Sequence, residues 1–304
     1  MEERGHEVVR LVRSPQARAS EPISALGEGT SDRSAGKVVP WNPNETTVDT
    51  EALERLGPYE AVVHLAGEPI AAKRWSPAQK AAIAQSRIGP TKALSVALAG
   101  LGSRPAVMVS ASAIGFYGDR GDEKLDESSG RGTGFLAQLC QDWEQATEPA
   151  SQAGIRVVNV RTGIVLTSHG GALGQLLPLF KLGLGGKLGR GRQWMSWISL
   201  HDEVGGILQA IEDDSLSGPV NLTGPKPVTN LELTHTLGYL LHRPVFFAVP
   251  RLPLRVVLGR EMAKEVVLAS QRVIPKKLID IGYSFHHSDV EAALRSALGM
   301  AGPA

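Results

Sequence analysis

The chain has 304 residues, 42% hydrophobic and 21% charged, enough apolar material for one large α/β domain or two interlocked ones. A formal net charge of +1, with Lys and Arg spread along the chain, argues against nucleic acid or an anionic membrane surface as a partner. The single cysteine, Cys140, excludes an internal disulfide and a multi-thiolate metal site; with no apolar run near the roughly 20 residues of a bilayer span and no signal-peptide pattern at the start, a cytoplasmic protein is expected.

Taken in order, Met1 to Gly5 reads as the tail of a helix and Glu7 to Val12 as a strand. Ser14 to Gly36, rich in Ser, Ala, Gly and Glu without periodicity, reads as a mobile surface loop. Further strands are expected at Lys37 to Val39, Ala61 to Leu65, Ala106 to Ser110, Arg156 to Val160 and Gly218 to Leu222, all apolar enough for a parallel sheet buried on both faces. Ser76-Pro77 supplies an N-cap and a first helical residue for a helix running toward Leu101, with Gly89-Pro90 as a bend, and Phe135 to Ala146 is a second helix.

From Gly170 to Arg192 glycine is frequent, yet the lysine-serine or lysine-threonine ending of a phosphate loop is missing, so flexible substrate-side loops are expected. Asp202 reads as the cap of a third helix through Ile211. Beyond Asn230 the pattern is helical, with an extended Arg243 to Val249 and breaks at Pro250 and Pro253, suiting a C-terminal cap.

Strands alternating with helices predict an α/β, Rossmann-like, doubly wound parallel sheet with a smaller mixed C-terminal substrate region. The expected division is a nucleotide-binding part over 1–166, rejoined by a helix and strand within 202–226, and substrate-side loops and cap over 167–304. Such folds open with a strand, a glycine-rich turn and a helix; nothing upstream of Gly5 supplies them, so an N-terminally truncated sheet is expected, through a start codon placed too late or a real truncation. Arg13 ends the next strand where NAD binders carry Asp or Glu, and a guanidinium there suits the 2′-phosphate of NADP; Arg13 as one more solvated arginine is the other reading.

The strand end His64-Leu65-Ala66-Gly67, within HLAGEPI, is followed by KRWSP, SRIGPTKAL, SASAIGFYGD, FLAQLCQDWE, RTGIVL, GGALGQLLPLFKLGLGG, WMSWISLHD and QRVIPKKLIDIGY. Together these resemble the epimerase-family branch of the extended short-chain dehydrogenase/reductase superfamily, with its C-terminal region of unassigned function, over nearly the whole chain. The resemblance implies NADP, with NAD as the alternative. It places Arg13 at the adenosine phosphate, Leu65, Ala66, Gly67 and Ser110 along the cofactor, Arg87 nearby, and Val165 on the nicotinamide side. For Arg87, a helix-surface ion pair is the structural alternative.

The superfamily's Tyr and Lys, four apart on one helix, fall on Leu136 and Cys140 when counted back from Glu144, so carbonyl reduction through that dyad is not supported. Ser112 matches the substrate-orienting serine, and Tyr117 is the remaining candidate proton donor, with a buried structural tyrosine as the other reading. Cys140 reads as core and the His201-Asp202 pair as structural. The expected function is an NADP-dependent oxidoreductase or nucleotide-sugar-epimerase-like protein acting on a small molecule, with a homodimer as one assembly. A noncatalytic NADP-binding scaffold and an inactive fragment are the competing readings.

Overall fold

The computed structural model describes residues 6–13, 37–43 and 48–300; the expectations for Met1 to Gly5 and Ser14 to Gly36 lie outside the described residues. In chain order, β1 (Arg10–Arg13), β2 (Val38–Trp41), α1 (Thr50–Leu56) and β3 (Ala61–His64) lead into the long α2 (Pro77–Gly100). Then come β4 (Val107–Ala113), a 3-10 turn at Ile114–Tyr117, β5 (Lys124–Leu125), α3 (Phe135–Gln145), α4 (Glu148–Gln152), β6 (Arg156–Thr162) and β7 (Ile164–Leu166).

The second half runs α5 (Gly171–Lys181), β8 (Gly186–Leu188), β9 (Trp194–Met195), β10 (Trp197–Ser199), α6 (Leu200–Glu212) and β11 (Gly218–Leu222). It continues with β12 (Val228–Thr229), α7 (Asn230–Leu240), β13 (Phe247–Val249), α8 (Arg251–Leu258) and α9 (Arg260–Met262). A π turn at Ala263–Val267, β14 (Arg272–Val273), α10 (Lys276–Asp280) and α11 (Val290–Ala297) complete it.

Alternation along the strands builds a three-layer α/β sandwich. Val62, Met108 and Val157 point into one apolar cluster with Leu94 and Leu98 of α2; Ala61, Val63, Val107, Val109 and Val158 point into the opposite one with Ala210 of α6 and Leu222. The all-parallel order is β11-β6-β4-β3, with Ala61 opposite Val107 and Val107 opposite Arg156, while β1 and β2 form a separate parallel pair. This is the Rossmann-like architecture that the alternating pattern predicts. Among the described residues no helix is long and apolar enough to cross a membrane.

Ser76 caps α2 by accepting from the Gln79 N–H, and the helix continues through Gly89-Pro90. Two expectations need correction. Gly170 to Arg192, expected as loops, holds α5 and β8, because Leu173, Leu177 and Phe180 recur on one face and bury against Trp197, Leu237 and Leu294. The cap of α6 is Ser199, whose Oγ accepts from the Asp202 N–H at 3.0 Å. Asp202 itself is buried and accepts from the backbone N–H groups of His286 (2.7 Å) and His287 (3.0 Å), tying the C-terminal segment to α6.

Two other carboxylates join distant segments in the same way. Glu265 accepts from the N–H groups of Phe135 (3.1 Å) and Leu136 (2.9 Å), satisfying orphan donors at the start of α3. Glu127 Oε1 accepts from Asn221 N–H at 3.0 Å and Lys277 N–H at 3.2 Å.

Candidate functional site

At the carboxyl end of β3 the chain turns out of the sheet, leaving Leu65, Ala66 and Gly67 exposed. Ser86 Oγ on α2 accepts from the Glu68 N–H at 3.0 Å, pinning this turn to the helix. Arg87, one residue on, is buried beneath Gly67. A methyl group at Gly67 would lie 3.0 Å from the guanidinium carbon, so the absent side chain is what lets backbone and guanidinium approach. The guanidinium donates to the Ile83 carbonyl at 3.2 Å and lies 5.1 Å from the Trp143 ring centre, and burial lowers its pKa. An exposed strand end with a backbone close to a buried cation fits the flank of a dinucleotide cofactor.

Ser110 stands opposite His64 and Asn159 in the sheet register. It is fully buried, and among the described residues its hydroxyl has no hydrogen-bond partner. His64 Nε2 lies 3.1 Å from Thr91 Oγ1, which also accepts from Trp143 Nε1 at 2.9 Å; burial drops the His64 pKa to about 4. Val165 pairs with Ile198 between β7 and β10 and is half-buried. Arg13 closes β1, and its side chain lies outside the described residues.

The two catalytic candidates meet in one buried network. Ser112 Oγ donates to Glu144 Oε1 at 2.7 Å, and Arg161 grips the same carboxylate through Nε (2.8 Å) and Nη2 (2.9 Å). Arg161 Nη1 donates to Tyr117 Oη at 3.1 Å, and Tyr117 Oη donates to Asn221 Oδ1 at 2.7 Å. The guanidinium carbon also sits 3.4 Å from the centre of the Phe116 ring. Burial lowers the Arg161 pKa, but the hydrogen bonds and charge of Glu144 outweigh it and leave it raised. Tyr117 is fully buried, and burial pushes its phenol up to about 12 against the pull of Arg161.

Leu136, Cys140 and Glu144 share one face of α3 at intervals of four. The first two pack against the Gly115 turn, 3.3 and 3.6 Å from where its Cβ would be, so the positions matching the superfamily's Tyr and Lys are apolar. Burial, and then the Glu144 charge, push the Cys140 thiol up to about 12, keeping it protonated.

Sequence reasoning missed Glu144, Arg161 and Asn221 as a unit, although an arginine inside the apolar run of β6 was a signal that a buried carboxylate must answer it. It also missed Glu203, whose Oε1 accepts from Thr162 Oγ1 at 2.8 Å while Oε2 is buried with no hydrogen-bond partner among the described residues. Burial raises this carboxyl to about 7. Among the described residues no group of three or more His, Cys, Asp or Glu side chains is placed to hold a metal ion.

Comparison with known proteins agrees with this frame. A family model described as "Domain of unknown function (DUF1731)" matches residues 249–297. The chain is 46% identical over 289 residues to Epimerase family protein Mb2239 of Mycobacterium bovis, covering 95% of this chain and 88% of that protein. The crystal structure of human epimerase family protein SDR39U1 with NADPH superposes with a TM-score of 0.78 at 31% identity, over 86% of this chain and 90% of that one. UDP-glucose 4-epimerase of Thermus thermophilus in complex with NAD gives a TM-score of 0.66 over 87% of this chain and 84% of its own length; at 17% identity it shows the fold alone. With the model described as "NAD dependent epimerase/dehydratase family" matching residues 1–222, the chain belongs to that family.

Proposed function

We propose that the chain binds NADPH, with NADH as the weaker alternative, along the carboxyl ends of β3 and β4, and serves as an NADP-dependent oxidoreductase or nucleotide-sugar-epimerase-like protein. The likeness to the human protein solved with NADPH, extending over 86% of this chain, carries the reading. The exposed Leu65-Ala66-Gly67 turn over buried Arg87 supports it, since open α/β sheets bind ligands outside the carboxyl ends of their strands. Arg13 is assigned to the adenosine 2′-phosphate, for which a guanidinium is the matching fork, and Ser110 and Val165 to the cofactor's flank.

Bound nicotinamide supplies a hydride; the chain's own residues must orient the substrate, a small molecule held against residues 167–304, and manage its proton. With Leu136 and Cys140 on the α3 face, that proton does not travel through a Tyr/Lys pair. Ser112 stands near the carboxyl end of β4 and Tyr117 in the turn that follows it, and both are engaged by the Glu144–Arg161 pair. This engagement favours a second reading, a noncatalytic NADP-binding protein.

The test is a titration of NADPH and NADH followed by nicotinamide fluorescence and thermal stability, because a ligand of the native state raises Tm by mass action. NADPH is expected to bind more tightly, and Arg13→Ala to remove the preference. Failure of both cofactors to bind overturns the proposal. Substrate-dependent NADPH oxidation over a carbonyl and sugar-nucleotide panel then separates the enzyme from the binding protein.

A further inference from the structure

The near-zero net charge of the chain conceals an uneven distribution. Residues 170–200 and 233–260 hold eight of its 32 Lys and Arg, from Lys181 to Arg260, and none of its 31 Asp and Glu. Among the described residues none of these eight is in an ion pair. The fold joins the two stretches into one surface. β13 pairs in parallel with β8, Phe247 opposite Gly186 and Val249 opposite Leu188, and Arg243 Nε donates to the Lys181 carbonyl at 2.8 Å. Where β8 ends, a methyl group at Gly189 would lie 3.3 Å from the Arg251 side chain, so α8 continues the same surface.

This basic surface also carries apolar groups that the core does not use. The helix α8, RLPLRVVL, is apolar around its circumference except for the stripe of Arg251 and Arg255, yet none of its residues is buried. Leu254 and Leu258 are half-buried, while Leu252, Val256 and Val257 are 71%, 64% and 71% exposed. Just ahead of α8, Phe246 is 90% exposed and Phe247 56%, and Leu182 and Leu184 stand exposed before β8. One exposed leucine is ordinary; a run of aromatic and aliphatic side chains across adjoining segments marks an interaction surface.

The combination selects the partner. A nucleic-acid backbone would answer the cations but leave Phe246, Leu252 and Val256 in water, and a second copy on a two-fold axis would set cations against cations. An anionic bilayer surface answers both, its headgroups meeting Lys and Arg while the acyl boundary takes the aromatic and aliphatic side chains. We infer that the face formed by β8, β13 and α8 docks on an anionic lipid surface, with α8 lying in the plane of the headgroups. The expectation drawn from total charge alone is thereby reversed, and the inference stands apart from the cofactor reading.

The full chain is sedimented with vesicles of phosphatidylcholine alone or containing about 30% phosphatidylserine, at low and high salt. Binding is expected with the serine lipid, falling steeply as salt screens the charges, and little with phosphatidylcholine. Each basic residue at an anionic surface is worth about fivefold in partitioning, so Arg251→Gln with Arg255→Gln should weaken binding roughly 25-fold. Phe246→Ser with Phe247→Ser should weaken it by about tenfold or more. Arg55→Gln with Lys92→Gln, on α1 and α2, should leave it unchanged. All six side chains are exposed, so an unaltered Tm checks that each variant keeps the fold. No sedimentation with the serine lipid, equal binding to phosphatidylcholine, or equal loss with the two charge pairs overturns the inference. So does polyglutamate held as tightly as the vesicles with the Phe246 and Phe247 substitutions weakening neither, which makes the face a general polyanion site.

Discussion

Glu203 and His64 titrate over the same interval and pull stability in opposite directions. Burial lifts Glu203 from 4.5 to about 7, so the native state keeps a proton that the unfolded chain has released, and this contribution falls as pH rises through that window. Burial lowers His64 from 6.5 to about 4, so the unfolded chain takes up the proton first, and this contribution falls as pH drops through its window. At about 1.36 kcal/mol per pKa unit, each displacement is worth ~3 kcal/mol, and between the two the pH dependence nearly cancels.

Glu203→Gln is therefore expected to gain stability relative to the unaltered chain as pH rises, from near zero difference at about pH 4.5 to ~3 kcal/mol at about pH 8. His64→Gln should show the mirror image, its relative gain growing as pH falls below the usual histidine range. Any pH-independent cost of either substitution shifts its difference curve without changing the slope. Urea denaturation across the pH series measures both curves. Curves flat to within about 1 kcal/mol would refute the argument that burial governs these two groups.

Two further outcomes follow from the buried pairs. Glu144→Gln leaves the Arg161 guanidinium, 4% exposed, without its carboxylate, and is expected to cost ~3–5 kcal/mol in chemical denaturation, with Arg161→Met added on top recovering part of the loss. Glu265→Ala uncovers two amide donors at the start of α3 and should cost ~1–2 kcal/mol, with faster hydrogen exchange confined to Phe135 and Leu136.

What the sequence made legible was whatever local chemistry decides. Valine-rich runs announce the parallel strands β4 and β6, and Ser76-Pro77 announces the start of α2, because capping and apolar runs are properties of adjacent residues. Asp202 reads as the cap of α6, a place that Ser199 holds; the choice turns on where β10 ends, which only its pairing with β7 fixes. In the Gly170 to Arg192 stretch the glycines outweighed a helical spacing that was present in Leu173, Leu177 and Phe180. The union of Ser112, Glu144, Arg161 and Tyr117 was hidden for another reason. It exists only because α3 lies across the ends of β4 and β6, a matter of packing and not of spacing.

The three carboxylates that catch distant backbone amides bear on how this family can be recombined. Residues 249–297 match a domain model of their own, yet Glu265 reaches out of that stretch to hold the first turn of α3, while Lys277, His286 and His287 are held from outside it by Glu127 and Asp202. A chimera that exchanged this stretch between relatives would transplant one half of each clasp. The graft should fold only when the donor also brings residues equivalent to Glu127, Asp202 and the opening of α3, so the unit of exchange is wider than the unit of sequence similarity.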